Sequence, residues 1–242
     1  MKNTTINTYC NMIKKYFLYT IFLFAISCIS LKTPLYIQQR ISDYDGVKTN
    51  IKDLINIDGY FIHGEPEIDT NDSSYIYFMF FEDGIVNMRV CDYNVFPYSD
   101  KPQNISQYIN QVISNENGKQ SKLFYNSLGW GRYTISDDTI KINYHSGWGY
   151  PNCYAFEIWF KVIDRNHIVD IYFDRITDKT SQITDTQKKE NLYEDAIPSR
   201  FVFLEKIPNS NSWLKKEKWF WRNESDWKNY MEMIEQKKIK KR

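Results

Sequence analysis

The 242-residue sequence predicts an antiparallel all-β domain, a β-meander or barrel, with one inserted amphipathic helix and one C-terminal helix. Three observations predict it. Aromatic residues make up 17% of the chain, with 19 Tyr, 15 Phe and 7 Trp, and such residues fit the pleated, half-buried surface of a sheet. Between residues 59 and 207 apolar residues recur with a period of two in short runs. Turn-forming pairs, Asp83-Gly84 and Asp137-Asp138 among them, separate those runs.

The amino terminus reads as an export signal. Lys14 and Lys15 precede an apolar run of 12 residues, Tyr16 to Ser27. That run is shorter than the roughly 20 residues needed to span a bilayer and has the length of a signal-peptide core. Met12 is a more natural start than Met1, because residues 1–11 are polar. The run ends in Ala25-Ile26-Ser27-Cys28. This segment resembles the lipobox of bacterial lipoproteins, although Ala25 stands where Leu is commonest. The resemblance implies that residues 1–27 are removed and that Cys28 is acylated, anchoring the protein to a membrane facing the periplasm or the cell surface. Residues 28–57 are polar and weakly patterned, and are expected to be a tether with a short helix near Ile51 to Ile57.

The β domain is expected over 58–208. Gly59 to His63 forms a first strand. Ser74 to Glu82 is apolar on both parities, so it must be covered on both faces. Ile85 to Asp92 places Val86, Met88 and Val90 on one face. Residues 104–115 break the pattern: Ile105, Tyr108, Ile109, Val112 and Ile113 form a helical stripe, with Asn104 as N-cap. Gly129 to Ser136 and Thr139 to His145 put Tyr133, Ile135, Ile140, Ile142 and Tyr144 inside. Cys153 to Ile163 puts Tyr154, Phe156, Ile158, Phe160 and Val162 on one face. Strict alternation over His167 to Asp174 groups Val169, Ile171 and Phe173. Arg200 to Ile207 is the last clear strand. Residues 209–242 form an aromatic and basic extension, in which Trp213 to Arg222 is a strand or flap and Ser225 caps a helix with Trp227, Tyr230, Met231 and Ile234 as its stripe.

The segments GYF, YFMFFEDGIV, WGRYTISDDTIKI and FVFLEKI resemble the lipocalin-like domains of bacterial lipoproteins over about residues 59–207. The resemblance implies a barrel that holds a small apolar or amphipathic ligand. The pocket would be lined by the inner-parity residues Met88, Tyr133, Tyr144, Phe156 and Phe160, with the hydroxyls of Tyr133, Tyr144 and Tyr154 edging its mouth. The rival expectation is an envelope interaction or structural module whose barrel is filled by its own side chains.

Little else in the sequence carries chemistry. Removing residues 1–27, which hold three Lys and no acid, leaves 28 basic against 30 acidic side chains. Such a balance gives no support to nucleic-acid binding. The three histidines, His63, His145 and His167, have no ligand spacing to one another. Asp69 to Asp72 lacks the glycine and terminal Glu of a calcium loop. The acids Glu65, Glu67, Asp137 and Asp138 fall in turns. No G-x-S-x-G, P-loop or H-E-x-x-H occurs. The sequence thus predicts a non-enzymatic protein with no cofactor and no metal. Of four cysteines, Cys10 precedes the signal core and Cys28 is the anchor. Cys91 and Cys153 would share an oxidising compartment, where a bridge persists. Both have outward parity, and a simple meander sets two strands between them, so a bridge through a bent loop and two buried thiols remain alternatives. Trp130, Trp148 and Tyr150 lie among glycines and serve either packing or ring stacking on a partner. The terminal KKIKKR carries five positive charges, as a solvated helix end or a contact to anionic lipid.

Overall fold

The computed structural model describes residues 33–63, 74–92, 105–147, 153–176 and 197–240. The described residues from Pro34 onward belong to one compact unit. Its framework is a closed antiparallel barrel of eight strands in chain order. These are β1 (Gly59–His63), β2 (Ser74–Phe80), β3 (Ile85–Asp92), β4 (Trp130–Ser136), β5 (Thr139–Gly147), β6 (Cys153–Asp164), β7 (His167–Ile176) and β8 (Ser199–Phe203). Strand β8 closes the barrel on β1, with Phe61 opposite Phe201. Five helices among the described residues decorate it: α1 (Leu35–Ile41), α2 (Ile51–Leu54), α3 (Ile105–Ser114), α4 (Lys119–Asn126) and α5 (Glu224–Lys240).

Period two decides which side chains go inside. Phe61, Phe78, Phe80, Val86, Met88, Tyr133, Ile140, Ile142, Tyr144, Ile158, Phe160 and Ile168 form one buried cluster, the barrel interior. The intervening residues form a second core outside it: Tyr60, Ile62, Tyr77, Met79, Phe81, Ile85 and Trp130 pack beneath the helices. This explains why the second strand is apolar on both parities. The helical stripe of α3 lies where its periodicity placed it, with Ile105, Tyr108, Ile109 and Val112 buried against the outer face of the sheet. Asn104 lies outside the described residues. Gly118 is followed by a further helix, α4, that the sequence pattern does not signal: it buries only Ser121 and Phe124.

The two barrel ends differ. At one, the turn end, the strands are joined by tight turns. Glu82-Asp83-Gly84 is a three-residue turn rather than a two-residue one, closed by the Phe81 amide donating to the Ile85 carbonyl (2.9 Å). Gly84 takes φ +82° there, a conformation open to glycine at little cost. The segment 49–57 crosses this end. Ile51, Ile55 and Ile57 join the interior cluster as a plug, and the Asn56 amide donates to the Arg165 carbonyl of the β6–β7 turn (2.9 Å). The connections 64–73, 93–129, 148–152 and 177–198 leave the strands at the opposite end, the loop end.

Residues 34–57, read from the sequence as part of a polar tether, pack on the domain. Ile37 and Ile41 of α1 are fully buried in the outer core. Tyr44 forms a parallel bridge with Trp221 of the C-terminal extension, and Arg222 pairs with Asp43 (2.7 Å) and Asp45 (3.2 Å). Trp213–Lys216 and Lys218–Phe220 are short 3-10 turns, neither a strand nor a free flap. In α5 Tyr230 is the buried residue, its ring tilted at 40° against Trp221 with centroids 5.3 Å apart. No helix among the described residues is long and apolar enough to cross a membrane.

His145 is one outer-core residue with a pH consequence. It lies on β5, 2% exposed, with its ring edge-on to Trp213 at 5.5 Å. Burial disfavours the imidazolium and lowers its pKa to about 4 from the usual 6.5. The unfolded chain therefore takes up a proton that the folded chain refuses between those values. Stability is full above about pH 6.5 and falls as pH drops towards 4, by up to ~1.4 kcal/mol per pH unit. Urea unfolding at pH 7, 6 and 5 is expected to show this slope, and His145→Phe to flatten it. A slope unchanged by the substitution would place the cause elsewhere.

Candidate functional site at the β7–β8 seam

Strands β7 and β8 are held by only two residue pairs, His167 with Arg200 and Ile168 with Ser199. Beyond Ile168 towards the loop end, β7 continues without a β8 partner among the described residues. The same stretch contains a bulge. Trp159 opposes Tyr172 and Phe160 opposes Asp170, so Ile171 is the extra residue. A bulge shifts side-chain parity by one. Strict alternation groups Val169, Ile171 and Phe173. Instead Ile168 and Asp170, and then Phe173 and Arg175, share the inner face of β7, as their β6 partners Val162, Phe160, Ile158 and Phe156 show.

This inner face meets a stacked aromatic row. The rings of Tyr144 and Phe156 lie 5.3 Å apart at 19°, and those of Phe156 and Phe173 5.3 Å apart at 27°. The row passes from the interior to solvent: Tyr144 is 3% exposed, Phe156 half-buried and Phe173 54% exposed. Phe156 is the ring Phe173 touches among the described residues. Burial pushes the Tyr144 phenol well above the usual tyrosine range, so it stays protonated. Above the row, the Arg175 guanidinium lies over the Tyr154 ring, 3.5 Å from its centroid.

On the β1 side of the seam sits a polar trio on the same inner parity. His63 Nδ1 shares a hydrogen bond with the buried Ser199 hydroxyl (3.2 Å) and lies 3.9 Å from Asp170 Oδ1. A nucleophile–base–carboxylate relay uses the two ring nitrogens separately. Here both contacts fall on Nδ1 and the serine is fully buried, so the trio is a polar clasp joining β1, β7 and β8. Among the described residues no three His, Cys, Asp or Glu side chains gather as metal ligands.

The residues expected to line a pocket are distributed unevenly. Met88, Tyr133 and Phe160 are buried in the tightly filled part of the interior. Tyr133 donates to the Phe81 carbonyl (2.6 Å) and shares a hydrogen bond with Thr49 (2.7 Å). It therefore braces the plugged turn end, far along the strand from Tyr154, and the three tyrosine hydroxyls do not edge one mouth. Tyr144 and Phe156 do reach the seam. Trp130 is a fully buried core residue rather than an exposed platform. Strand order places β4 and β5 between Cys91 of β3 and Cys153 of β6. Glu65, Glu67, Asp69 to Asp72, Trp148, Tyr150 and Cys28 lie outside the described residues.

Sequence reasoning missed Asp170, Arg175 and Ser199. Their one signal was the charges at 170, 174 and 175 of β7, and Asp170 joins the inner parity of Phe173 and Arg175 only once the bulge is known. No family model, curated protein or solved structure matches this chain.

Proposed function

We propose that this is an exported, lipid-anchored barrel protein of lipocalin-like type that holds a small amphipathic ligand at the β7–β8 seam. One observation carries the reading. Phe173 faces the barrel interior by parity, yet stands 54% exposed at the end of a stacked row that runs to the buried Tyr144. An apolar body laid on Phe173 removes aromatic surface from water, and aromatic pairs contribute ~0.5–1.5 kcal/mol beyond burial. The charged and polar side chains Arg175, His63 and Asp170 around it would fix a polar group.

The test is titration of the full chain with the neutral dye N-phenyl-1-naphthylamine, followed by fluorescence. Phe173→Ala is expected to weaken binding by about fivefold or more, in line with loss of one stacking face. Phe203→Ala, which removes another exposed ring, at the turn end, is expected to leave it unchanged. Equal losses would refute a site at the seam. A second reading is favoured by the filled interior, where Phe61, Phe80 and Phe160 are fully buried and Ile51 and Ile55 plug the end. On that reading the barrel is a scaffold for envelope interactions, and no saturable dye binding occurs.

The anchor has its own test. The 12-residue apolar run ending at Cys28 supports lipidation. In a bacterial host the chain is expected to label with palmitate and fractionate with membranes. Labelling that persists in Cys28→Ala would remove the anchor from the proposal.

A further inference from the structure

We infer that the seam is built for an aromatic anion: a flat ring system bearing a carboxylate or a similar oxyanion. The inference rests on the seam being the ligand site and names what it takes. Three features converge. The Tyr144–Phe156–Phe173 row is nearly parallel, at 19° and 27°, with 5.3 Å steps. A row of this kind is extended by another flat ring, whereas an alkyl chain gains nothing from the ring planes being aligned. Phe173, the outermost member, is the exposed one.

The second feature is Arg175. It occupies the inner position opposite Phe156, and its guanidinium is laid on the Tyr154 ring at 3.5 Å. Stacking uses the face of a guanidinium and leaves its edge donors in plane, the geometry that receives a carboxylate through two hydrogen bonds. No carboxylate pairs with Arg175 among the described residues. The adjacent Asp174 accepts a hydrogen bond from Tyr172 (3.1 Å) on the opposite parity. The third feature is Asp170, the next charged inner residue of β7 towards the turn end. Its carboxylate repels an anion entering deeper, so the charged end is held outward at Arg175 and the ring lies on Phe173.

The experiment is competition on the full chain. The naphthalene sulfonate 1-anilinonaphthalene-8-sulfonate serves as fluorescent reporter. 2-Naphthoate, 2-naphthalenemethanol and decanoate are the competitors. 2-Naphthoate is expected to displace the reporter at a concentration about tenfold lower than either of the others, the size of one charge-assisted contact. Arg175→Gln is expected to erase the advantage of the acid over the alcohol. If the alcohol competes as well as the acid in the unaltered protein, the anion is refuted. If decanoate matches 2-naphthoate, the aromatic class is refuted. In both cases the site itself still stands if Phe173→Ala weakens the neutral dye. If that substitution has no effect, the seam is not the ligand site at all.

Discussion

Trp130→Ala is expected to lower stability by about 3–5 kcal/mol, the range for emptying a buried large aromatic site. Trp130 is fully buried on the outer face of β4. Its indole N–H donates to the Phe124 carbonyl of α4 (2.9 Å). Its ring lies between Phe81 (5.7 Å, 28°) and Tyr125 (6.4 Å, 11°), with Phe124 edge-on at 5.2 Å. One side chain thus ties the barrel wall to the helical layer. Removing it leaves a cavity and a carbonyl without its donor. Trp130→Phe keeps most of the ring contacts and should cost clearly less. Urea unfolding of both variants gives the comparison. A loss below about 1 kcal/mol in the alanine variant would mean that the helical layer is only loosely coupled to the barrel.

Lys215→Met is expected to cost about 3 kcal/mol or more, because it breaks a buried ion pair from one side. Lys215 is 4% exposed. Its ammonium donates to Asp83 Oδ2 (2.5 Å) and to the Ser210 hydroxyl (2.7 Å), which itself donates to Asp83 (2.6 Å). Burial pulls the lysine below its usual pKa, and the Asp83 charge opposes that shift. The cluster joins the β2–β3 turn to the C-terminal extension, and Lys215 also faces the ring of Tyr44 at 5.7 Å. Without the ammonium, the Asp83 carboxylate stays partly buried and uncompensated. The double variant Lys215→Met, Asp83→Asn should recover much of the loss, because it removes both charges. Additive losses in the double variant would argue against the pair as the cause.

How much of the fold is legible in the sequence depends on the range of the interactions. Strand parity is local. It needs only alternation along one segment, and the inner faces of β3 to β6 follow it from Val86 to Val162. The α3 stripe is equally local. The second layer is partly legible: doubly apolar β2 requires an outer cover, but nothing in α4 announces that Lys119–Asn126 provides part of it, since its helix buries only two residues. The segments 34–57 and 209–222 look like tethers and flaps because they are short. Each places a few scattered anchors, such as Ile37, Ile41, Tyr44 and Leu214, against residues far away in the chain.

By itself, then, the sequence determined an antiparallel β domain, its strand faces and its amphipathic helix, because each rests on a periodicity contained within a dozen residues. The tertiary structure alone decided which end of the barrel is plugged, that Lys215 finds Asp83, and that Asp170 faces inward with Phe173 and Arg175. The last follows from a single extra residue, Ile171, at a bulge. A bulge is defined by two strands together: whether a residue is surplus depends on the register of its partner, and no property of His167–Ile176 taken alone reveals it.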